Sequence, residues 1–141
     1  VPRLNLVLEN LHPAYRVDKR ALRRLVQRVL AGEQAAARYV GVILADHATV
    51  HDLNRTWLHH DYDTDVVSFR LSNPDQPLEG EVYVDLDTAA ERHAEFGATF
   101  AAEVERYVVH GLLHLVGYDD ATPPEKAAMH ALEDHYLAPV S

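Results

Sequence analysis

His110 and His114 stand four residues apart in the stretch HGLLHLVGYDD (110–120), and Asp120 closes it, so three candidate metal ligands fall within eleven residues at the spacing H-x3-H-x5-D. On a helix, side chains four apart share one face about a turn from each other, which suits two cis positions on one cation. Val108, Val109, Leu112, Leu113 and Leu115 surround the pair, so the helix is expected to be buried nearly all round, where imidazole nitrogens need partners. Gly117 is the residue type that ends a helix in a left-handed conformation, after which the chain can turn back toward the imidazoles. Asp119 is one position nearer and competes with Asp120 for the third place. The same i, i+4 spacing occurs at His47 and His51, but among Asp46, Asp52 and Asn54, which reads as a solvated helix face.

Three protein ligands leave a fourth position for water, and a cation held there lowers the pKa of that water and polarises a phosphoryl oxygen. The chain has no cysteine, which excludes thiolate zinc sites and leaves imidazole and carboxylate as the donors. One Zn2+ per chain is expected, with Mn2+ or another divalent ion admitted by an oxygen ligand. A carboxylate among the ligands drops the site's formal charge from +2 to +1, so a less acidic bound water and a weaker pull on an anionic substrate are expected than with three imidazoles. Gly111 occupies the place where an H-E-x-x-H peptidase carries its general base.

The elements that must position these residues alternate along the chain without repeats or linkers. Leu4–Leu8 reads as a first strand, and Asp18 as the N-cap of a helix reaching about Ala31, with Gly32 as its stop. Tyr39–Leu44 is a short apolar run, hence a buried strand. Asp46 caps a second helix to Leu58, with Val50, Leu53, Trp57 and Leu58 inward, before a polar loop, His59–Thr64. Val66–Leu71 is a third strand, ended by the turn residues Asn73–Pro77, and Glu81–Asp85 a fourth, with Val82 and Val84 toward the core. Thr88-Ala89-Ala90-Glu91 has capping-box spacing for a short helix to Phe96. The motif helix follows from about Thr99 to Val116, and Thr122-Pro123-Pro124-Glu125 opens a last helix to Leu137. This order predicts one domain over 1–141, of α+β class, with a small mixed sheet and about five helices.

Composition bounds the function. The chain has 141 residues, 48% of them hydrophobic, enough for one core, and no apolar run long enough to span a membrane. No basic, apolar and small-residue signal pattern opens it, so cytoplasm is the expected compartment. The net charge of -9 argues against polyanions only on average. Residues 1–38 hold eight Lys or Arg against three Asp or Glu, and Arg16, Arg20, Arg24 and Arg28 recur every four residues. That stripe is either a solvated basic face or a surface that tracks phosphates.

The 110–120 stretch resembles the signature of the YbeY family, H-G-x-x-H-L-x-G-Y-D-H, bacterial metal-dependent endoribonucleases implicated in ribosomal RNA maturation. Ten of the eleven positions are compatible, and Asp120 stands where the family has a third histidine. A second family run matches Leu53, Asn54, Trp57, Asp61 and Thr64-Asp65-Val66-Val67-Ser68-Phe69, departing at Leu58, where the family usually carries arginine. A third resembles Gly80-Glu81-Val82-Tyr83-Val84. The resemblance implies a four-stranded sheet with the metal helix beneath a cleft, His110, His114 and Asp120 as ligands, and RNA and the ribosome as partners. It places Asp65 and Ser68, with Thr64, among groups that orient water or ligands. Arg55, or else His59, His60 or Arg70, is a candidate for the cationic role that Leu58 cannot fill.

Three readings follow: a metal-dependent, single-strand-acting endoribonuclease of ribosomal RNA maturation; a zinc-dependent peptidase or amide hydrolase, disfavoured by Gly111; and a non-catalytic, metal-binding, ribosome-associated protein that lost activity with Leu58 and Asp120.

Overall fold

The structure, a computed structural model, describes residues 3–58 and 64–139. Four strands form one mixed sheet in the order β1-β2-β4-β3: β1 (Asn5–Asn10), β2 (Ala37–Ala45), β3 (Val66–Arg70) and β4 (Leu78–Asp85). β1, β2 and β4 run parallel, and β3 pairs antiparallel with β4, Val66 opposite Val84 and Arg70 opposite Gly80. The helices are α1 (Lys19–Gly32), α2 (His47–Leu58), α3 (Leu86–Arg92), α4 (Phe100–Leu115) and α5 (Pro123–Leu137), with a 3-10 turn over His93–Phe96. This is the α+β architecture with a four-stranded mixed sheet and five helices that the alternation of patterns predicts.

Period-two alternation gives each strand two faces. Val66, Val82 and Val84 join the main core with Leu22, Val26, Val29, Leu112 and Leu113. The opposite parity, Val67, Phe69 and Tyr83, meets α2 through a small cluster around Ala45 and Val50. Leu58 packs at the margin of that cluster and contributes apolar packing. α4 lies between the sheet and the helices α1, α3 and α5. Its residues are buried from Val104 to Leu115 except for Glu105, Arg106, His110 and His114, and this intermittent exposure is what opens one face to a site.

α4 sits close because Gly111 has no side chain. A Cβ there would lie 2.4 Å from Val82 Cγ1, 2.9 Å from Val66 Cγ2 and 3.1 Å from Ser68 Oγ. The valine methyls belong to stiff, branched strand residues and cannot swing aside. Ser68 Oγ also donates to the Gly111 carbonyl at 2.9 Å, fastening helix to strand. Gly111→Ala gains about 1 kcal/mol of helix propensity, but overpacking costs about 1–3 kcal/mol and must lift the turn that carries His110. The expected outcome is a net loss of about 1–2 kcal/mol, read as a lower Tm, together with weaker zinc binding in a competition titration.

Several local expectations are corrected. Trp57 is 67% exposed rather than inward; among the described residues the cluster beneath α2 has the small Ala45, Val50 and Val67 as its buried members, and Asn54 is buried instead. α3 is capped by Asp85, whose carboxylate accepts from Thr88 N, so the last strand residue is also the first cap and the box at Thr88 is not used. Gly32 lies within the last turn of α1, against Tyr136, and Gln34 takes the left-handed conformation at φ 53. The caps expected at Asp18, Asp46 and Thr122 are present, the last as a complete capping box. His59 and His60, and Asp61 of the second motif, lie outside the described residues.

Candidate metal centre

α4 presents His110 and His114 on its open face, with ring centroids 4.7 Å apart. Val116 caps the helix, Gly117 turns the chain at φ +113, and Tyr118 N donates back to the Leu113 carbonyl at 3.0 Å. The chain reversal delivers Asp120. His110 Nε2 stands 3.1 Å from His114 Nε2 and 3.2 Å from Asp120 Oδ2, and His114 Nε2 lies 3.6 Å from Asp120 Oδ1. Ligand atoms about 2.0–2.1 Å from a tetrahedral cation sit about 3.3–3.4 Å from one another, a length close to the separation of the two imidazole nitrogens and to the distance from each to its nearer Asp120 oxygen. Asp119 is exposed and stands outside the trio.

The outer nitrogens fix the inner ones. His110 Nδ1 meets Glu133 Oε2 at 2.7 Å, and His114 Nδ1 meets the Tyr118 carbonyl at 3.0 Å. Both partners are acceptors, so both Nδ1 atoms carry the proton and both Nε2 lone pairs face inward beside a carboxylate. Two imidazole nitrogens and a carboxylate converge here, and among the described residues no donor lies between them, so the donor set fits a divalent metal. Burial opposes a charge on His110, but Glu133, Asp65 and Asp120 outweigh it and raise its pKa above the ordinary value. A proton and a metal therefore compete for this pocket.

Glu133, on α5, was not singled out from the sequence. It is 5% exposed and accepts from Arg106 at 3.0 Å, while Arg106 also bonds Asp134 at 2.7 Å. A second tie holds the reversal: Tyr118 Oη donates to Glu33 at 2.7 Å, and Tyr136 Oη donates to the same carboxylate. α1 and α5 thus anchor the loop whose carbonyl orients His114.

Beside the trio lies a cavity of about 490 Å3, lined by Asp65, Arg92, Phe96, Glu103, Arg106 and Tyr107 among others. Glu103, Tyr107, His110 and His114 follow one another along α4 at helical spacing, so the cavity continues the metal face by one turn. Burial pushes the Asp65 carboxyl up, against the pull of His110. Ser68 is spent on the Gly111 carbonyl, and Thr64 Oγ1 donates to the Val66 carbonyl. Arg55 pairs with Asp52 at 2.7 Å on α2 and lines a different depression. Arg70 binds the carbonyls of Ser72, Asn73 and Gln76, with a longer contact to Leu115. The structure therefore brings Asp65 and Ser68 against the metal helix, and leaves Arg55 and Arg70 engaged elsewhere.

His47 is more than a solvated face. Its Nδ1 meets the fully buried Asp85 at 2.6 Å, and its ring stacks on His51 at 5.9 Å.

Two imidazoles and a carboxylate converging on a helix under a mixed sheet, near a polar cleft, are the donor set that a metallohydrolase-type centre uses. The profile described as Endoribonuclease YbeY matches residues 8–141. A protein of Salinibacter ruber named Endoribonuclease YbeY is 50% identical over 140 residues, 94% of this chain and 89% of that one. Namesakes from Chloroherpeton thalassium and Chlorobium phaeovibrioides are 35% and 40% identical, covering 83% and 82% of this chain and 82% and 78% of theirs. A Thermotoga maritima protein solved in solution superposes with a TM-score of 0.65 at 27% identity, over 94% of this chain and 87% of its own. The chain belongs to the YbeY endoribonuclease family.

Proposed function

We propose that this endoribonuclease cuts single-stranded RNA in the maturation of ribosomal RNA, using one divalent cation, zinc by preference, held by His110, His114 and Asp120. The observation that carries the reading is the convergence of two imidazole nitrogens, 3.1 Å apart, with the Asp120 carboxylate, whose two oxygens lie 3.2 and 3.6 Å from them, both outer imidazole nitrogens being already engaged. When bound, the cation supplies Lewis acidity toward a phosphoryl oxygen and toward water.

The chain's own residues do the rest. Glu133 and the Tyr118 carbonyl hold the imidazoles in one tautomer. Asp65, which lines the cavity and has its carboxyl pushed up by burial, would take and return a proton at its carboxylate oxygen. Ser68 keeps α4 against β3, so the ligands do not drift. Gly111 disfavours the peptidase reading on packing grounds as well as chemical ones, since a glutamate there would meet Val82 and Val66. The ribosome as partner and the cytoplasm as compartment belong to the same reading. No helix among the described residues is long and apolar enough to cross a membrane.

The test is metal content and cleavage measured together. Purified chain is expected to carry about one zinc and to cut RNA, with both lost on chelation and restored by zinc. Because protonation of His110 opposes loading, the zinc-induced rise in Tm is expected to be small at pH 5.5 and to grow as pH climbs through the raised His110 pKa. Zinc-replete chain that leaves structured and unstructured RNA intact would overturn the assignment.

A further inference from the structure

The cavity beside the metal centre has one wall that the ligand scaffold does not use. Arg92 closes α3 and Phe96 closes the 3-10 turn, with the guanidinium 5.4 Å from the ring centroid. Phe96 is one of only three phenylalanines in the chain, and it is 62% exposed. Its position is set by backbone: Gly97 adopts φ 65, Gly97 N donates to the Ala94 carbonyl, Ala98 N donates to the His93 carbonyl, and His93 Nδ1 meets the Ala98 carbonyl at 2.9 Å. The ring is thus an exposed apolar surface on a stapled turn.

The charges around it are unequal in availability. Arg106 is held by Glu133 and Asp134, whereas the ion pair resolved for Arg92 is a 3.7 Å contact with exposed Glu95, a kind that contributes little. Arg92 also lines the neighbouring depression with Tyr15 and His47, so it stands on the rim between two concavities. Asp65 and Glu103 line the same cavity, where they disfavour phosphate close to them, and Asp65 is coupled electrostatically to Arg92. A polyanion in this cleft has its cation at the rim and its aromatic face beside it.

We propose that Phe96 and Arg92 form a nucleoside subsite, Phe96 stacking the base and Arg92 binding the phosphate of a nucleotide flanking the scissile bond. The proposal rests on the RNA reading and deepens it. A ring face accepts any unpaired base and a guanidinium pairs with a phosphate oxygen, which is how single strands are held without sequence readout. The cavity volume of about 490 Å3 suits one such residue. Arg92 would then supply a cation to a cavity whose other arginine, Arg106, is already paired.

The experiment uses the zinc-loaded full chain and a single-stranded oligoribonucleotide of about ten residues, comparing wild type with Phe96→Ala, Phe96→Trp and Arg92→Gln. Zinc content and Tm serve as folding controls. Phe96→Ala is expected to lower kcat/KM about tenfold, mainly through KM, and Phe96→Trp to restore it to within about twofold. Arg92→Gln is expected to lower it about tenfold and to flatten its salt dependence. Unchanged kcat/KM in Phe96→Ala and Arg92→Gln, or a Phe96→Ala loss that tryptophan does not rescue, would overturn the subsite. A parallel anisotropy titration with the 2′-O-methyl oligomer keeps the two readings apart. If wild type cuts no RNA but Phe96→Ala still weakens binding about tenfold, the nuclease reading fails and the subsite stands; equal binding sinks the subsite alone.

Discussion

His114→Ala is expected to leave a folded chain that neither retains zinc nor cuts RNA. The side chain is partly exposed, so its removal opens no sealed core cavity and Tm of the metal-free chain should move little. The loss falls on the metal. Partners that merely orient a ligand cost about 10–100-fold in affinity or activity when removed, so deleting a ligand must exceed that, and a fall in kcat/KM of at least about 10²-fold is expected. Asp120→Ala should behave the same way, while Asp119→Ala, on the exposed neighbour, should keep its zinc and its activity. Inductively coupled plasma analysis beside single-turnover cleavage reads both. A His114→Ala protein with wild-type zinc content, or an Asp119→Ala protein without zinc, would require another ligand set.

The sequence made the grouping of His110, His114 and Asp120 legible because all three residues are local: a helical spacing, a helix-ending glycine and a short return. It made the sheet legible because branched and apolar residues alternate or cluster between turn signals. What it hid shares one physical character. Glu133 lies 23 residues from His110 and on another helix, and a glutamate in a helix ordinarily reads as solvated; only packing of α5 on α4 shows that it is buried and bonded. The Glu33 carboxylate that gathers Tyr118 and Tyr136 is hidden for the same reason. Gly111 could be seen as the absence of a peptidase base, whereas its contact with Val82 and Val66 depends on where the sheet falls. Trp57 was misassigned because helical period marks a face and says nothing of what lies beneath it.

Glu133 is where the metal chemistry and the fold meet, and its replacement separates them by pH. In the metal-free chain, Glu133 is the first of the groups that lift the His110 pKa against burial. A raised folded pKa contributes stability that is fully present below the unfolded value near 6.5 and is lost as pH rises through the folded one. Glu133→Gln therefore destabilises metal-free protein most in acid and least well above neutrality. Arg106 limits the damage: losing one partner of a fully buried pair costs about 3–5 kcal/mol, but Arg106 is partly exposed and keeps Asp134, so about 1–2 kcal/mol is expected.

For zinc the dependence runs the other way. At pH 8 the imidazoles are largely free of competing protons, and the variant lacks the carboxylate that makes His110 a better donor, so affinity should fall about 10–100-fold. Toward pH 6 the wild-type site is increasingly occupied by a proton that Glu133 itself favours, while the variant's His110 gives its proton up more readily. The two affinities should converge. Zinc competition titrations at the two pH values, with Tm of the metal-free proteins beside them, decide the matter. A loss of the same size at both would mean that Glu133 acts by packing alone, and no loss at pH 8 would remove it from the metal centre.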